Sequence, residues 1–117
     1  MFFLSFNIRG IGGALKLASV HRVLDKTRPE IVLFQETMAF VGKAWDFMFK
    51  LQPNWLCCAV NSDGSSWGLL VSWDLNYFDL RPFLTCSGIL LSGFYLATRR
   101  QVNILNTYGP CVERRVL

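Results

Sequence analysis

The stretch Ile31-Val32-Leu33-Phe34-Gln35-Glu36-Thr37 constrains this chain more than any other, because four apolar residues run unbroken into a glutamine, a carboxylate and a threonine. A strand with one wet face alternates apolar and polar residues, whereas a continuous apolar run is the pattern of a strand buried on both faces. Glu36 then either marks where the strand meets solvent or is delivered by the strand into a polar site.

The residues before it supply a partner. Phe2 to Phe6 is a short apolar run that ends at Asn7, and the turn-rich Arg9-Gly10-Ile11-Gly12-Gly13 follows. Leu15 to Lys26 places Leu17, Val20 and Leu24 at spacings of three and four, which predicts an amphipathic helix with a basic outer face. His21 falls at the edge of that face and reads as a surface residue. Arg28-Pro29-Glu30 breaks the helix. Strand, helix and strand with short joints make a right-handed βαβ unit with both strands parallel. Parallel strands end on one edge, where open α/β sheets hold their ligands, so Asn7 and Glu36 are expected to face the same crevice.

Beyond Thr37 a second helix is expected over Val41 to Leu51, with Trp45, Met48 and Phe49 inward, ended by Gln52-Pro53-Asn54. From Trp55 the pattern turns to β. Trp55 to Val60 and Gly68 to Trp73 flank a polar loop with Asp63-Gly64 as its turn, which is a hairpin signal. Strands follow at about Phe78 to Cys86, Ile89 to Ala97 and Val102 to Thr107, with Thr98-Arg99-Arg100-Gln101 turning between the last two. Val112 to Leu117 begins a helix-like segment. No repeat, low-complexity tract or linker divides the chain, so residues 1–117 read as one domain.

Composition enters through what must cover these strands. The chain is 52% hydrophobic and 17% charged, with a mean hydropathy of +0.32, against roughly 25% charged in an average globular chain. Such a chain either spans a membrane or leaves an apolar face bare. A spanning helix needs about 20 apolar residues in a row, and the longest candidate, Ile89 to Ala97, is interrupted by Ser92 and Gly93. Met1 to Leu4 lacks the basic flank of a secretory signal. The expectation is an intracellular protein, nuclear or cytoplasmic, with no membrane contact. The net charge of +4 is compatible with a polyanionic partner without requiring one. Cys57, Cys58, Cys86 and Cys111 show no C-x-x-C spacing, and one histidine cannot complete a common zinc set. Cys57 and Cys58 read as small core residues of a reduced protein.

Three strand ends stand out: Phe6-Asn7-Ile8-Arg9-Gly10, Phe34-Gln35-Glu36-Thr37 and Asn106-Thr107-Tyr108-Gly109-Pro110. Together they resemble the endonuclease/exonuclease/phosphatase superfamily, whose members carry N-x-R-G, Q-E-T and Y-x-P in this order. The flanks Ser66-Trp67-Gly68-Leu69-Leu70-Val71-Ser72-Trp73-Asp74 and Tyr108 to Arg115 look like the endonuclease domain of LINE-type (non-LTR) retroelements, and the resemblance covers the whole chain. It implies the N-terminal half of a DNase-I-like four-layer α/β sandwich, a mixed sheet with helices on one face.

The resemblance also implies roles. Glu36 matches the metal carboxylate, for Mg2+ or Mn2+, and a hard cation prefers oxygen ligands of this kind. Asn7 matches the asparagine that orients metal or phosphate, Tyr108 the tyrosine whose hydroxyl approaches the scissile phosphate, and Arg9 the basic loop contacting phosphate or DNA. Two departures accompany the match. Trp67 replaces a glycine at a strand start that normally packs close, which predicts a disturbed corner, and Cys111 replaces an asparagine after Y-x-P. The family's D-x-N and S-D-H motifs follow the tyrosine strand, and Val112 to Leu117 contains neither. The expectation is an endonuclease fragment that does not turn over alone, with the apolar face of its sheet uncovered and open to self-association. Two other readings stand beside it: a noncatalytic remnant that binds nucleic acid or itself, and a phosphatase of the same superfamily.

Overall fold

The computed structural model describes residues 1–63 and 66–107, apart from the side chains of 62–66. The chain begins with the expected βαβ unit: β1 (Phe3–Asn7), α1 (Ala14–Thr27) and β2 (Ile31–Gln35), with β1 and β2 parallel in the register Phe3↔Ile31 to Asn7↔Gln35. Helix α1 buries Val20 and Leu24. It stops at Arg28, whose left-handed backbone caps it through N–H donation to Leu24 O at 2.8 Å, and Pro29 cannot continue it. His21 is exposed and lies 3.2 Å from Asp25 one turn on, as its surface position predicts.

Helix α2 (Val41–Leu51) has the expected bounds, but its buried residues are Ala44, Phe47, Met48 and Leu51. Trp45 and Phe49, expected inward, are 53% and 66% exposed. The reason is phase. Residues 44, 47, 48 and 51 follow the i, i+3, i+4, i+7 rule of a single helical stripe, and an inward stripe through 45 and 49 would exclude Phe47.

The hairpin forms from β3 (Leu56–Asp63) and β4 (Ser66–Trp73), longer on both sides than the apolar runs alone, because the ladder continues through Ser62↔Trp67 and Asp63↔Ser66. The predicted turn at Asp63-Gly64 falls largely outside the described residues. Strand β4 lies antiparallel to β2 as well as to β3, giving a mixed sheet in the order β1-β2-β4-β3. After the Asp74–Tyr77 turn come β5 (Phe78–Thr85), β6 (Gly88–Tyr95) and β7 (Arg100–Thr107). They form a separate antiparallel sheet, β5-β6-β7.

The second sheet packs on the first, so the expectation of an uncovered inner face is corrected. Alternate residues of β2 serve two cores. Val32 and Phe34 join Val20, Leu24, Phe47 and Met48 under the helices, while Ile31 and Leu33 join Val71, Trp73, Phe78, Leu80, Ile89 and Leu91 between the sheets. This is why the run at 31–34 is apolar without a break: both faces are dry, and each fully buried side chain contributes roughly 1.5–3 kcal/mol. The described layers are helices, four-stranded sheet and three-stranded sheet. The bare apolar surface lies instead on the outer face of the second sheet, where Phe83, Leu90 and Leu105 align across the strands and Phe83, Phe94 and Leu105 are exposed. Among the described residues no helix is long and apolar enough to cross a membrane.

Candidate active site

The carboxyl ends of β1 and β2 lie side by side, and they bring together three of the four residues singled out in the sequence. The Asn7 amide donates through Nδ2 to Glu36 Oε2, and its Oδ1 accepts from the backbone N–H of Arg9 at 3.0 Å. Asn7 is thus fixed from both sides, which sets the amide's orientation and points its donor at the carboxylate. Arg9 is exposed. Tyr108, the fourth candidate, lies outside the described residues, as do the Y-x-P segment and Cys111.

Glu36 is not the last residue of the strand. The ladder ends at Gln35, and Glu36 takes a left-handed backbone with φ 56°. That conformation crowds Cβ against the carbonyl and costs a non-glycine residue about 1–2 kcal/mol. It persists because the surrounding backbone fixes it from two directions. On the β1 side Gly10 N donates to Glu36 O at 2.7 Å and Ile11 N to Thr37 O at 3.2 Å. On the β4 side Thr37 N donates to Gly68 O at 3.3 Å and Met38 N to Trp67 O at 2.7 Å. Arg9 (φ 52°) and Met38 (φ 53°) share the left-handed conformation, so three strained residues meet at one edge.

The corner at Trp67 is intact, contrary to the sequence expectation. Trp67 is 47% exposed, with its ring turned outward. The close approach belongs to its neighbour: Gly68 has φ +88°, and a Cβ there would fall inside 3.0 Å of Thr37 Oγ1. Thr37 is fully buried and its hydroxyl has no partner among the described residues. A glycine within a strand is itself a signal of close backbone approach, so this contact was available to sequence reasoning and was assigned one residue early.

A second device was not anticipated. Asn106 of β7 is 2% exposed and crosses between the sheets. Its Nδ2 donates to Phe34 O at 3.0 Å and Leu70 O at 3.2 Å, and its Oδ1 accepts from Gln35 Nε2 at 2.8 Å. Gln35 also reaches Ser5 Oγ at 3.1 Å. The residue preceding Glu36 is thereby tied to β1 and to the second sheet, directly behind the strained turn. The tripeptide Asp74-Leu75-Asn76 spells D-x-N but sits at the opposite end of the sheet, where Asp74 N donates to Glu30 O at 3.0 Å, so it contributes nothing to this edge.

Among the described residues no three His, Cys, Asp or Glu side chains cluster as a metal cage. Mg2+ does not need one: it keeps several waters and takes one or two carboxylates together with substrate phosphate oxygens. Glu36 with an amide-fixed orientation fits that mode. Arg9 follows Asn7 in the β1–α1 loop and Lys43 approaches Gly12 of the same loop, and neither is within ion-pair distance of a carboxylate among the described residues.

Neither a family model nor a curated protein sequence matches the chain. Solved structures do. The AP endonuclease LMAP from Leishmania major superposes with a TM-score of 0.65 at 15% identity, over 97% of this chain and 43% of that one. D. rerio TDP2, humanized by 14 mutations, gives 0.61 at 14% identity over 88% and 44%. TDP2 from Caenorhabditis elegans gives 0.59 at 21% identity over 90% and 34%. This chain therefore spans less than half the length of each of these three structures. At these identities the likeness shows the fold, which is DNase-I-like α/β.

Proposed function

We propose that these 117 residues are the metal-carboxylate portion of a single DNA endonuclease domain of the LINE retroelement type, acting on phosphodiesters with Mg2+ or Mn2+. The observation that carries the reading is Glu36, held in a strained left-handed turn with its carboxylate hydrogen-bonded to Asn7 at the shared edge of β1 and β2. Strain at a surface turn is retained where position matters more than stability. The AP endonuclease among the similar structures supports a nucleic-acid substrate, and DNA is the proposed partner.

In this reading Glu36 would hold the cation, which when bound supplies Lewis-acid polarisation of a phosphoryl oxygen. Asn7 fixes which carboxylate oxygen stays committed to the protein. Arg9 sits two residues on and offers a cation to a neighbouring phosphate. Tyr108, two residues beyond Asn106, is assigned the hydroxyl donor toward charge developing on the phosphate.

Within residues 1–117 no D-x-N or S-D-H follows Tyr108 to place an attacking water, so these residues alone are proposed to bind without turning over. Titration with Mn2+ followed by electron paramagnetic resonance tests the metal role: one bound ion is expected, and it is lost in Glu36→Ala. Retention of the ion in that variant refutes the assignment. Plasmid nicking that disappears in Glu36→Ala refutes the proposed inactivity. A second, noncatalytic reading is favoured by the bare row Phe83, Leu90 and Leu105, which suits self-association. A concentration-independent monomer in sedimentation, with no binding of a hydrophobic dye, would count against it.

A further inference from the structure

The edge that holds Glu36 also carries apolar side chains that the proposed chemistry does not use. Phe40 is 73% exposed, and Met38 and Trp67 are about half exposed. Trp67 and Met38 are joined by the 2.7 Å backbone hydrogen bond from Met38 N to Trp67 O. The Met38 thioether reaches back toward the Gly10 loop, where a Cβ on Gly10 would lie 3.9 Å from Sδ. Lys43 approaches the same loop, its Nζ 3.7 Å from where a Cβ on Gly12 would stand. Among the described residues no aromatic ring packs on Trp67.

Trp67 is thus a large flat surface left open, hydrogen-bonded through its backbone to the residue two beyond Glu36. Two residues of extended chain reach at most about 7 Å, and Met38 is two residues from Glu36, so Trp67 stands within a nucleotide or two of a phosphate at Glu36. A base inside a continuous duplex offers only its edge to a protein, because its faces are already stacked. An indole ring next to a phosphate site gains affinity only from a base whose face is free. Arg9 and Lys43 supply the charge that a nucleic-acid backbone requires and an apolar protein partner would not.

We infer that this edge selects DNA carrying an unpaired base next to the contacted phosphate, with Trp67 as the stacking platform. The inference rests on the DNA reading above and deepens it by naming the class of DNA. Loss of one stacked base changes affinity by roughly 5- to 150-fold.

The test is fluorescence anisotropy in EDTA, so that neither metal binding nor cleavage enters. The 117-residue chain is titrated onto a labelled duplex with one bulged thymine and onto the fully paired duplex of the same sequence. Preference for the bulged duplex on the order of ten-fold is expected. Trp67→Ala removes the preference while leaving affinity for the paired duplex unchanged, and Trp67→Phe keeps most of it. Because Trp67 is half exposed, an unchanged thermal midpoint checks that Trp67→Ala still folds. Equal affinity of the parent chain for the two DNAs, or a preference undiminished in Trp67→Ala, overturns the inference and leaves the metal site and DNA reading standing. Failure to bind either DNA overturns both.

Discussion

Replacing Gly68 by alanine isolates the contact that shapes the turn at Glu36. The new Cβ meets two penalties. The backbone φ of +88° lies where an L-residue loses about 1–2 kcal/mol. The methyl also falls inside 3.0 Å of Thr37 Oγ1, on a fully buried side chain. Thr37 is β-branched, so turning χ1 must re-seat both its hydroxyl and its methyl in packed surroundings. Overpacking of this kind adds about 1–3 kcal/mol. The two together predict a loss of roughly 2–5 kcal/mol, a large share of the ~5–15 kcal/mol that holds a typical domain. Urea unfolding measures it as a drop in midpoint at constant slope. A double-mutant cycle separates the penalties: Thr37→Ala removes the obstructing hydroxyl, so in that background Gly68→Ala should retain only the backbone part. Other atoms near the new Cβ are no closer than 3.4 Å, ordinary contact that does not blur the cycle. A Gly68→Ala loss below about 1 kcal/mol, or one equally large with and without the Thr37 hydroxyl, refutes the claim that this contact fixes the turn.

Four further outcomes are expected. Asn106→Ala, which removes three hydrogen bonds and strands a Gln35 donor between the sheets, should lower stability by about 2–4 kcal/mol in the same urea assay. Phe47→Ala should cost about 3–5 kcal/mol while Trp45→Gln changes stability by no more than about 0.5 kcal/mol, a contrast in melting temperature that reverses if α2 is packed in the other phase. Glu36→Asn should be at least as stable as the parent, since asparagine tolerates the left-handed backbone, yet should lose Mn2+ in a paramagnetic resonance titration. Burial raises the Cys57 and Cys58 thiols, and the neighbouring Cys58 charge raises Cys57 further. A raised folded-state value means the stabilising contribution is complete below the ordinary 9.0 and is lost as pH climbs through the folded values. Urea midpoints should therefore fall above pH 9.0, with a shallower fall in a Cys57→Ser, Cys58→Ser double variant.

What the sequence made legible follows from how local each signal is. The βαβ unit is set by a periodic helix, a proline break and a doubly apolar strand, all within residues 3–35, and it formed with its strands parallel and Asn7 and Glu36 on one edge, as expected. The inward face of α2 was misread because Trp45, Phe47, Met48 and Phe49 are all apolar, and hydropathy alone does not choose among overlapping stripes. The division into two sheets was not visible. Alternation in 78–107 predicts strands but not which sheet receives them, and the switch is made at 74–77, where Asp74-Leu75-Asn76 signals a turn (Asn76 N donates to Asp74 Oδ1 at 2.9 Å) without signalling a change of sheet. Cys57 and Cys58 show the same limit: they pack against the helical and the intersheet cores respectively, an alternation that needs both faces to be known.

The left-handed backbone at Glu36 was the least legible feature, since glycine or asparagine would ordinarily announce such a turn. Its distribution in the fold is what gives it meaning. Of the five non-glycine residues with positive φ among those described, Arg28 caps a helix and Arg99 turns a hairpin, both ordinary places for it. The other three, Arg9, Glu36 and Met38, converge on one edge. A turn selected only to connect β2 with α2 would relax by taking glycine at 36. Here the strain is opposed by four backbone hydrogen bonds from two different segments, by a buried threonine against Gly68, and by the Asn106–Gln35 bridge behind it. Each of these acts on residues 35–38, and the one side chain they leave at the shared strand edge, bonded through Asn7, is the Glu36 carboxylate. The support is spent on the direction of that carboxylate, which is the expectation for a ligand-holding group and not for a residue marking the end of a strand.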